Sequence, residues 1–206
     1  MLKMKALTVG PLGTNCYLLG AENAGGIVMI DPGGESDRLL QEAEAMGGCV
    51  EALLLTHGHV DHIAACAELM RATGAKLYIH SGDAALVRQP DPYWASLVGG
   101  CEACEPNVEL HGGECLALAG LEITVLHTPG HSPGGVCYLT GNACFCGDTL
   151  FAGSIGRTDL PLADEQAMEA SLARMVSVLA DETEIFPGHG PASTMAAEKM
   201  SNPFLQ

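Results

Sequence analysis

Thr56-His57-Gly58-His59-Val60-Asp61-His62 puts three imidazoles and a carboxylate within six residues. The run follows directly on an apolar segment, Ala52-Leu-Leu-Leu-Thr56, which reads as a buried strand. Imidazole nitrogen and carboxylate oxygen are the donors that divalent transition ions take. A histidine that merely fills space is usually alone, so this density points to metal.

Working outward, three more groups of the same chemistry sit in Gly/Pro-punctuated turns. His131 lies in His127-Thr-Pro-Gly-His-Ser-Pro-Gly134, Asp148 in Cys146-Gly-Asp-Thr149 and His189 in Phe186-Pro-Gly-His-Gly-Pro191. Each follows an apolar run: Leu121–Leu126, Ala143–Cys146 and Glu184–Phe186. Strand ends that deliver side chains to one place imply strands pointing the same way, with a site beyond their carboxyl edges. The expected division is His57, His59 and His131 on one ion and Asp61, His62 and His189 on a second. Asp148, with two oxygens, is expected to bridge ions ~3.5–4 Å apart. Zinc is the expected metal, and iron or manganese suit the same donors. His80, His111 and His127 lack motif partners and read as structural, with His127 placed to support His131 four residues on.

The rest of the pattern alternates strands and helices. Thr14–Leu19 and Gly26–Ile30 read as a strand pair, Lys76–Ile79 and Gly135–Leu139 as further strands. Ser36 is expected to cap a helix carrying Leu39, Leu40, Ala43 and Met46, stopped by Gly47. Ile63, Cys66, Ala67 and Met70 mark another helix, closed by Gly74. A third carries Met168, Leu172, Met175, Val176 and Leu179. Between Asp83 and Gly113 prolines and glycines degrade the pattern into a long loop, with a short helix at Trp94–Val98. No linker or low-complexity segment divides the chain, so residues 1–206 are expected to form one α/β domain.

Composition narrows the partners. With 25 acidic against 9 basic residues the formal charge is −16. That field repels nucleic acid and anionic membranes, so neither is expected as a partner. The N-terminus has no secretory pattern and no apolar run is long enough to span a bilayer, so a cytoplasmic protein is expected. Nine cysteines in a reducing compartment do not suggest a disulfide framework. Cys49, Cys66, Cys137, Cys144 and Cys146 sit in apolar runs and read as small buried hydrophobes. Cys101-Glu-Ala-Cys104 has C-x-x-C spacing but no second pair, a poor basis for redox or metal chemistry.

The histidine-rich run and the three later turns, in this order, resemble the metallo-β-lactamase superfamily. The resemblance covers nearly the whole chain and implies a four-layer αββα sandwich. Gly10-Pro-Leu-Gly-Thr-Asn-Cys-Tyr17, Ile30-Asp-Pro-Gly33, Gly147-Asp-Thr-Leu-Phe151, Gly153-Ser-Ile-Gly-Arg-Thr-Asp-Leu-Pro161 and Glu198-Lys-Met-Ser-Asn-Pro-Phe204 are similar to the glyoxalase II-like branch. That branch hydrolyses hydroxyacylglutathione thioesters such as S-lactoylglutathione. Asp148 stands where many zinc β-lactamases carry cysteine, which turns the expectation away from antibiotic hydrolysis. The helical domain that follows the last histidine in the larger glyoxalase II enzymes has no counterpart in Gly190–Gln206, as in a short form of the branch.

The expected partner is therefore a small anionic thioester. A hydroxide between the metals would attack the carbonyl, with Asp61 orienting it, and the thiolate would leave without a strong general acid. Arg157 is placed either to meet a substrate carboxylate or to pair with Asp159. The alternative within the same resemblance is a persulfide dioxygenase using one iron on His57, His131 and Asp148, since Gly156–Asp159 is similar to a run in those enzymes.

Overall fold

A computed structural model describes residues 1–206, and two six-stranded sheets dominate it. The first sheet contains β1 (Leu2–Val9), β2 (Thr14–Ala21), β3 (Gly26–Ile30), β4 (Cys49–Leu54), β5 (Lys76–His80) and β6 (Val108–Leu110), side by side in that order. β1 to β3 are antiparallel, and β3 to β6 are parallel. The second sheet contains β7 (Cys115–Leu118), β8 (Leu121–His127), β9 (Val136–Thr140), β10 (Ala143–Gly147), β13 (Glu184–Pro187) and β14 (Ser193–Thr194), in the order β14-β13-β10-β9-β8-β7. β11 (Leu150–Phe151) and β12 (Ser154–Ile155) make a separate hairpin.

Period-two patterning with both faces apolar explains the layers. Cys16, Leu18, Ile27, Met29 and Leu53 face outward from the first sheet into a core. There they meet α1 (Ser36–Ala45) and α3 (Cys66–Thr73), through residues such as Leu39 and Leu69. Their neighbours Tyr17, Leu19, Val28, Ile30 and Leu54 face the other way, into a core shared with Tyr138 and Phe145 of the second sheet. On the far face Cys137, Cys144 and Cys146 pack with Met168, Leu172 and Met175 of α6 (Glu165–Val178). Helix, sheet, sheet and helix make the expected αββα sandwich. Each fully buried Leu, Ile or Phe in these cores contributes on the order of 2 kcal/mol.

Buried polar groups tie the sheets together near one edge. The Tyr17 hydroxyl donates to the Pro187 carbonyl at 2.6 Å and the Tyr138 hydroxyl to the Leu55 carbonyl at 2.8 Å. Backbone bonds Asn15 N–H to Gly188 O (2.7 Å) and Val136 N–H to Thr56 O (2.8 Å) join the same edge. No helix is long and apolar enough to cross a membrane.

Several expectations need correcting. The stretch from Asp83 to Gly113 holds the short helix read at Trp94–Val98, as α5 (Pro92–Leu97), but it is not otherwise one loop: it also contains α4 (Ala84–Arg88) and β6. Pro92 starts α5 instead of breaking it, because Asp91 caps that helix by accepting from the Tyr93 and Trp94 amides. The helix read across Ile63–Met70 is two, α2 (Val60–Ile63) and α3. Ser36 does not cap α1; Glu35 precedes the helix with a left-handed φ of 56°, and the Ser36 hydroxyl donates to Glu68. Cys49 is exposed, at the first position of β4, whereas Cys66, Cys137, Cys144 and Cys146 are buried as expected. β1, β7 and the closing helix α7 (Met195–Ser201) were not anticipated.

Candidate metal centre

In the second sheet β8, β10 and β13 point the same way. Their carboxyl ends bring His131, Asp148 and His189 to the segment that leaves β4. All seven side chains singled out in the sequence meet there. The ring nitrogens of His57, His59 and His131 that could take one ion lie within 4.8 Å of one another, and so do the donor atoms of Asp61, His62 and His189. Asp148 lies between the two trios. Its Oδ1 is 3.4 Å from His62 Nε2, and its Oδ2 is 3.5 Å from His131 Nε2 and 3.7 Å from His189 Nε2.

Hydrogen bonds fix which nitrogen each ring offers. His62 Nδ1–H donates to Asp31 Oδ2 at 2.9 Å, leaving Nε2 bare. The Thr56 hydroxyl donates to the same Asp31 oxygen at 2.6 Å, so its own oxygen is free to accept from His57 Nδ1–H at 3.1 Å. His131 Nδ1–H donates to the Arg157 carbonyl at 2.8 Å. Such outward bonds orient an imidazole and make its other nitrogen a better donor to metal.

The bare atoms are orphaned. His57 Nε2, His62 Nε2 and Asp148 Oδ1 are buried and make no hydrogen bond. Leaving such groups unsatisfied costs about 1–3 kcal/mol each, and a cation among them removes that cost. His59 Nδ1 and His131 Nε2 approach to 2.9 Å, close to the ~3.3 Å between nitrogens sharing a tetrahedral ion. The donor set therefore fits a dinuclear centre.

Electrostatics agree. Burial, then the neighbouring His62, His59 and His131, push His57 well below the usual imidazole range; burial and His131 push His59 down to about 3. Both are neutral rings able to donate to metal. Burial alone would lower His62, but Asp61, Asp148 and Asp31 outweigh it and push it up to about 10. On Asp61, burial is outweighed by His62, His189 and the Thr14 hydroxyl, which hold the carboxyl well below its ordinary range. The second trio thus attracts a positive charge, and a proton on His62 occupies the place a metal would take.

Glycines make the close approach possible. A Cβ at Gly156 would overlap the Asp148 carbonyl oxygen, and one at Gly188 would overlap Asp148 Oδ1 and His62 Cε1. A cavity of about 550 Å³ opens beside the centre, lined by His59, Asp61, His131, Asp148 and His189 among others. Arg157 also lines it, but its guanidinium is paired with Asp159 at 2.8 and 3.0 Å.

Two carboxylates that the sequence did not single out as functional organise the surroundings. Asp31, at the end of β3, accepts from the Thr56 amide and hydroxyl as well as from His62. Asp83 accepts from Gly58 N–H, Ser132 Oγ and Gly134 N–H, joining the two histidine loops. The sequence signal for Asp31 was its place after an apolar strand, in a stretch quoted only for resemblance. His80, His111 and His127 stay outside the centre; His80 stacks on His127 at 4.0 Å, and His127 Nε2 donates to the Pro133 carbonyl.

Residues 9–189 match the family model of the metallo-beta-lactamase superfamily. The chain belongs to that superfamily. This metallo-beta-lactamase superfamily member is 33% identical to hydroxyacylglutathione hydrolase GloC of Haemophilus influenzae, over 99% of this chain and 98% of the relative. Among solved structures it is similar to the BLEG-1 B3 metallo-beta-lactamase, at TM-score 0.91 and 33% identity over 99% of this chain and 100% of that one. It is also similar to TTHA1623 in a di-iron-bound form, at TM-score 0.84 and 42% identity over 98% of this chain and 100% of that one. ETHE1 from Myxococcus xanthus gives TM-score 0.84 and 30% identity over 98% of this chain and 83% of its own length.

Proposed function

We infer that the protein is a metal-dependent hydrolase of thioesters of the hydroxyacylglutathione type, S-lactoylglutathione being the representative. One observation carries the choice of thioester: beyond the seven candidate ligands, the cavity wall offers no unengaged acid. Asp91 caps α5 and Arg157 is bound to Asp159. An amine or alkoxide would need a proton from such a group, whereas a thiol with pKa ~8.5 leaves as its anion. The GloC relative agrees with this chemistry.

In this reading His57, His59 and His131 would hold one ion and Asp61, His62 and His189 a second, with Asp148 placed between the two trios to serve as a further ligand. Two divalent ions there would supply Lewis acidity towards the carbonyl and lower the pKa of a water to near neutrality. Asp61 receives the Thr14 hydroxyl and faces His189 Nε2 through Oδ2, so Oδ1 is left to accept a proton-bearing water and aim it. Asp31 and the Arg157 carbonyl keep the rings in register. The water oxygen bonds to the acyl carbon, the C–S bond breaks, and sulfur leaves with the electron pair. Zinc suits these donors, and the di-iron-bound likeness makes iron the natural competitor.

Metal content and turnover of the purified protein test this together. Two metals per chain with hydrolysis of S-lactoylglutathione is the expected result, with a cephalosporin as the comparison substrate that is not turned over. One iron per chain, with oxygen consumed on glutathione persulfide and no thioester cleavage, would overturn it.

A further inference from the structure

The cavity beside the candidate centre has a wall of unusual make-up for a site that takes a charged thioester. Leu86 of α4, Trp94 of α5, Phe151 of β11, and Leu12, Leu160 and Leu162 from loops all line it. Three of them stay well exposed, Leu12 at 49%, Trp94 at 39% and Leu162 at 64%. Leu162 also holds a left-handed φ of 70°, a conformation that leucine adopts at a cost. Apolar groups kept in contact with water beside a cavity mark a surface awaiting an apolar occupant.

Charge decides which half of the substrate that is. Of the nine basic residues, Arg157 alone lines the cavity, and Asp159 takes the Nε–Nη2 edge of its guanidinium. One already half-paired guanidinium edge is all the basic charge the wall offers to the two carboxylates of a glutathione half. The geometry points to an acyl subsite: Leu86, Trp94, Phe151, Leu160 and Leu162 take a hydrocarbon acyl group larger than lactoyl, and the glutathione half lies towards solvent. This rests on the thioesterase reading above and narrows its substrate class. It also gives the stretch from Asp83 to Gly113 a role, since α4 and α5 carry two of the wall residues.

The test is a series of glutathione thioesters, S-acetyl, S-lactoyl, S-butanoyl and S-hexanoyl, with the metal-loaded full chain. Each buried methylene favours binding by about fourfold, so with partial burial kcat/KM is expected to rise at least about tenfold from S-acetyl to S-hexanoyl. Trp94→Ala and Leu86→Ala should each flatten the hexanoyl-to-acetyl ratio, whereas Tyr93→Ala, exposed and outside the cavity, should keep it. A series in which S-lactoylglutathione is fastest and S-hexanoylglutathione slowest would overturn the subsite while leaving the thioesterase reading intact. Cleavage of no member by protein shown to hold its metals would overturn that reading and the subsite with it.

Discussion

Asp31→Asn changes one atom of a carboxylate that is only 1% exposed. Its Oδ1 accepts from the Thr56 amide at 2.7 Å, and its Oδ2 accepts from the Thr56 hydroxyl at 2.6 Å and His62 Nδ1–H at 2.9 Å. An amide has one acceptor oxygen for these two places. If that oxygen faces Thr56 N–H, the new NH₂ confronts His62, which must move its proton to Nε2 and lose the lone pair aimed at Asp61 and Asp148. If the amide is flipped, two N–H groups face each other at Thr56. Either arrangement leaves one buried donor unsatisfied, at about 1–3 kcal/mol. Loss of such an orienting partner typically weakens metal binding 10–100-fold, or about 1.4–2.7 kcal/mol. The second ion should lose affinity by that factor, and the first by less, because Asp31 reaches His57 only through Thr56. For a chain of this size, about 2 kcal/mol lowers the Tm of the metal-free protein by roughly 4–8 °C. Competition against a chromogenic chelator reads the affinity, thermal denaturation reads the stability, and Asp37→Asn, exposed on α1, is the control. Wild-type affinity for both ions in folded Asp31→Asn protein would refute the reasoning.

Further consequences are open to measurement. Chelation should lower Tm, since it restores the orphaned state of His57 Nε2, His62 Nε2 and Asp148 Oδ1; re-added metal should raise it in a concentration-dependent way. Gly188→Ala drives a methyl into Asp148 Oδ1 and His62, so at least about a hundredfold loss of activity is expected. Gly190→Ala meets no atom and strains only a φ of 77°, costing about 1 kcal/mol by denaturation. Asp83→Ala orphans Gly58 N–H, Gly134 N–H and the Ser132 hydroxyl and should destabilise by roughly 3–5 kcal/mol in urea titrations. Burial, chiefly, raises the Cys101 and Cys104 thiols to about 11, leaving on the order of one in a thousand ionised at pH 8. Mass-resolved alkylation should therefore label the exposed Cys49 and Cys115 first.

The seven metal-type side chains were legible because they fall just after apolar strands. They sit either in Gly/Pro-punctuated turns or, for Asp61 and His62, in the short helix that follows the first histidines, and those local patterns announce themselves in the sequence. The strands of the sheet interiors were legible for the same reason: Val28 and Met29 serve opposite cores, so the run is apolar throughout. β1 was not, because its outward positions carry Lys3 and Lys5 and only Leu7 and Val9 are buried. The short helix read at Trp94–Val98 is α5, but its first turn was hidden by reading Pro92 as a breaker when Asp91 makes it a start. Asp31 and Asp83 were hidden for a different reason. Each is a lone acid whose partners lie at least 25 residues away in the chain, with the Ser132 and Gly134 partners of Asp83 further still, and only folding makes the association.

The distribution of the two trios between the sheets has a mechanical consequence. His57 and His59 leave the first sheet, and His131 comes from the second; Asp61 and His62 leave the first, and His189 comes from the second. With Asp148 of the second sheet added to both trios, each ion would hold two groups from each half of the sandwich, like a rivet through both plates. Prying the halves apart would break two metal bonds at each position and leave each ion with only the two groups of the segment after β4. Loss of metal would then remove a clamp between the sheets, and the metal-free chain should unfold faster than the loaded one.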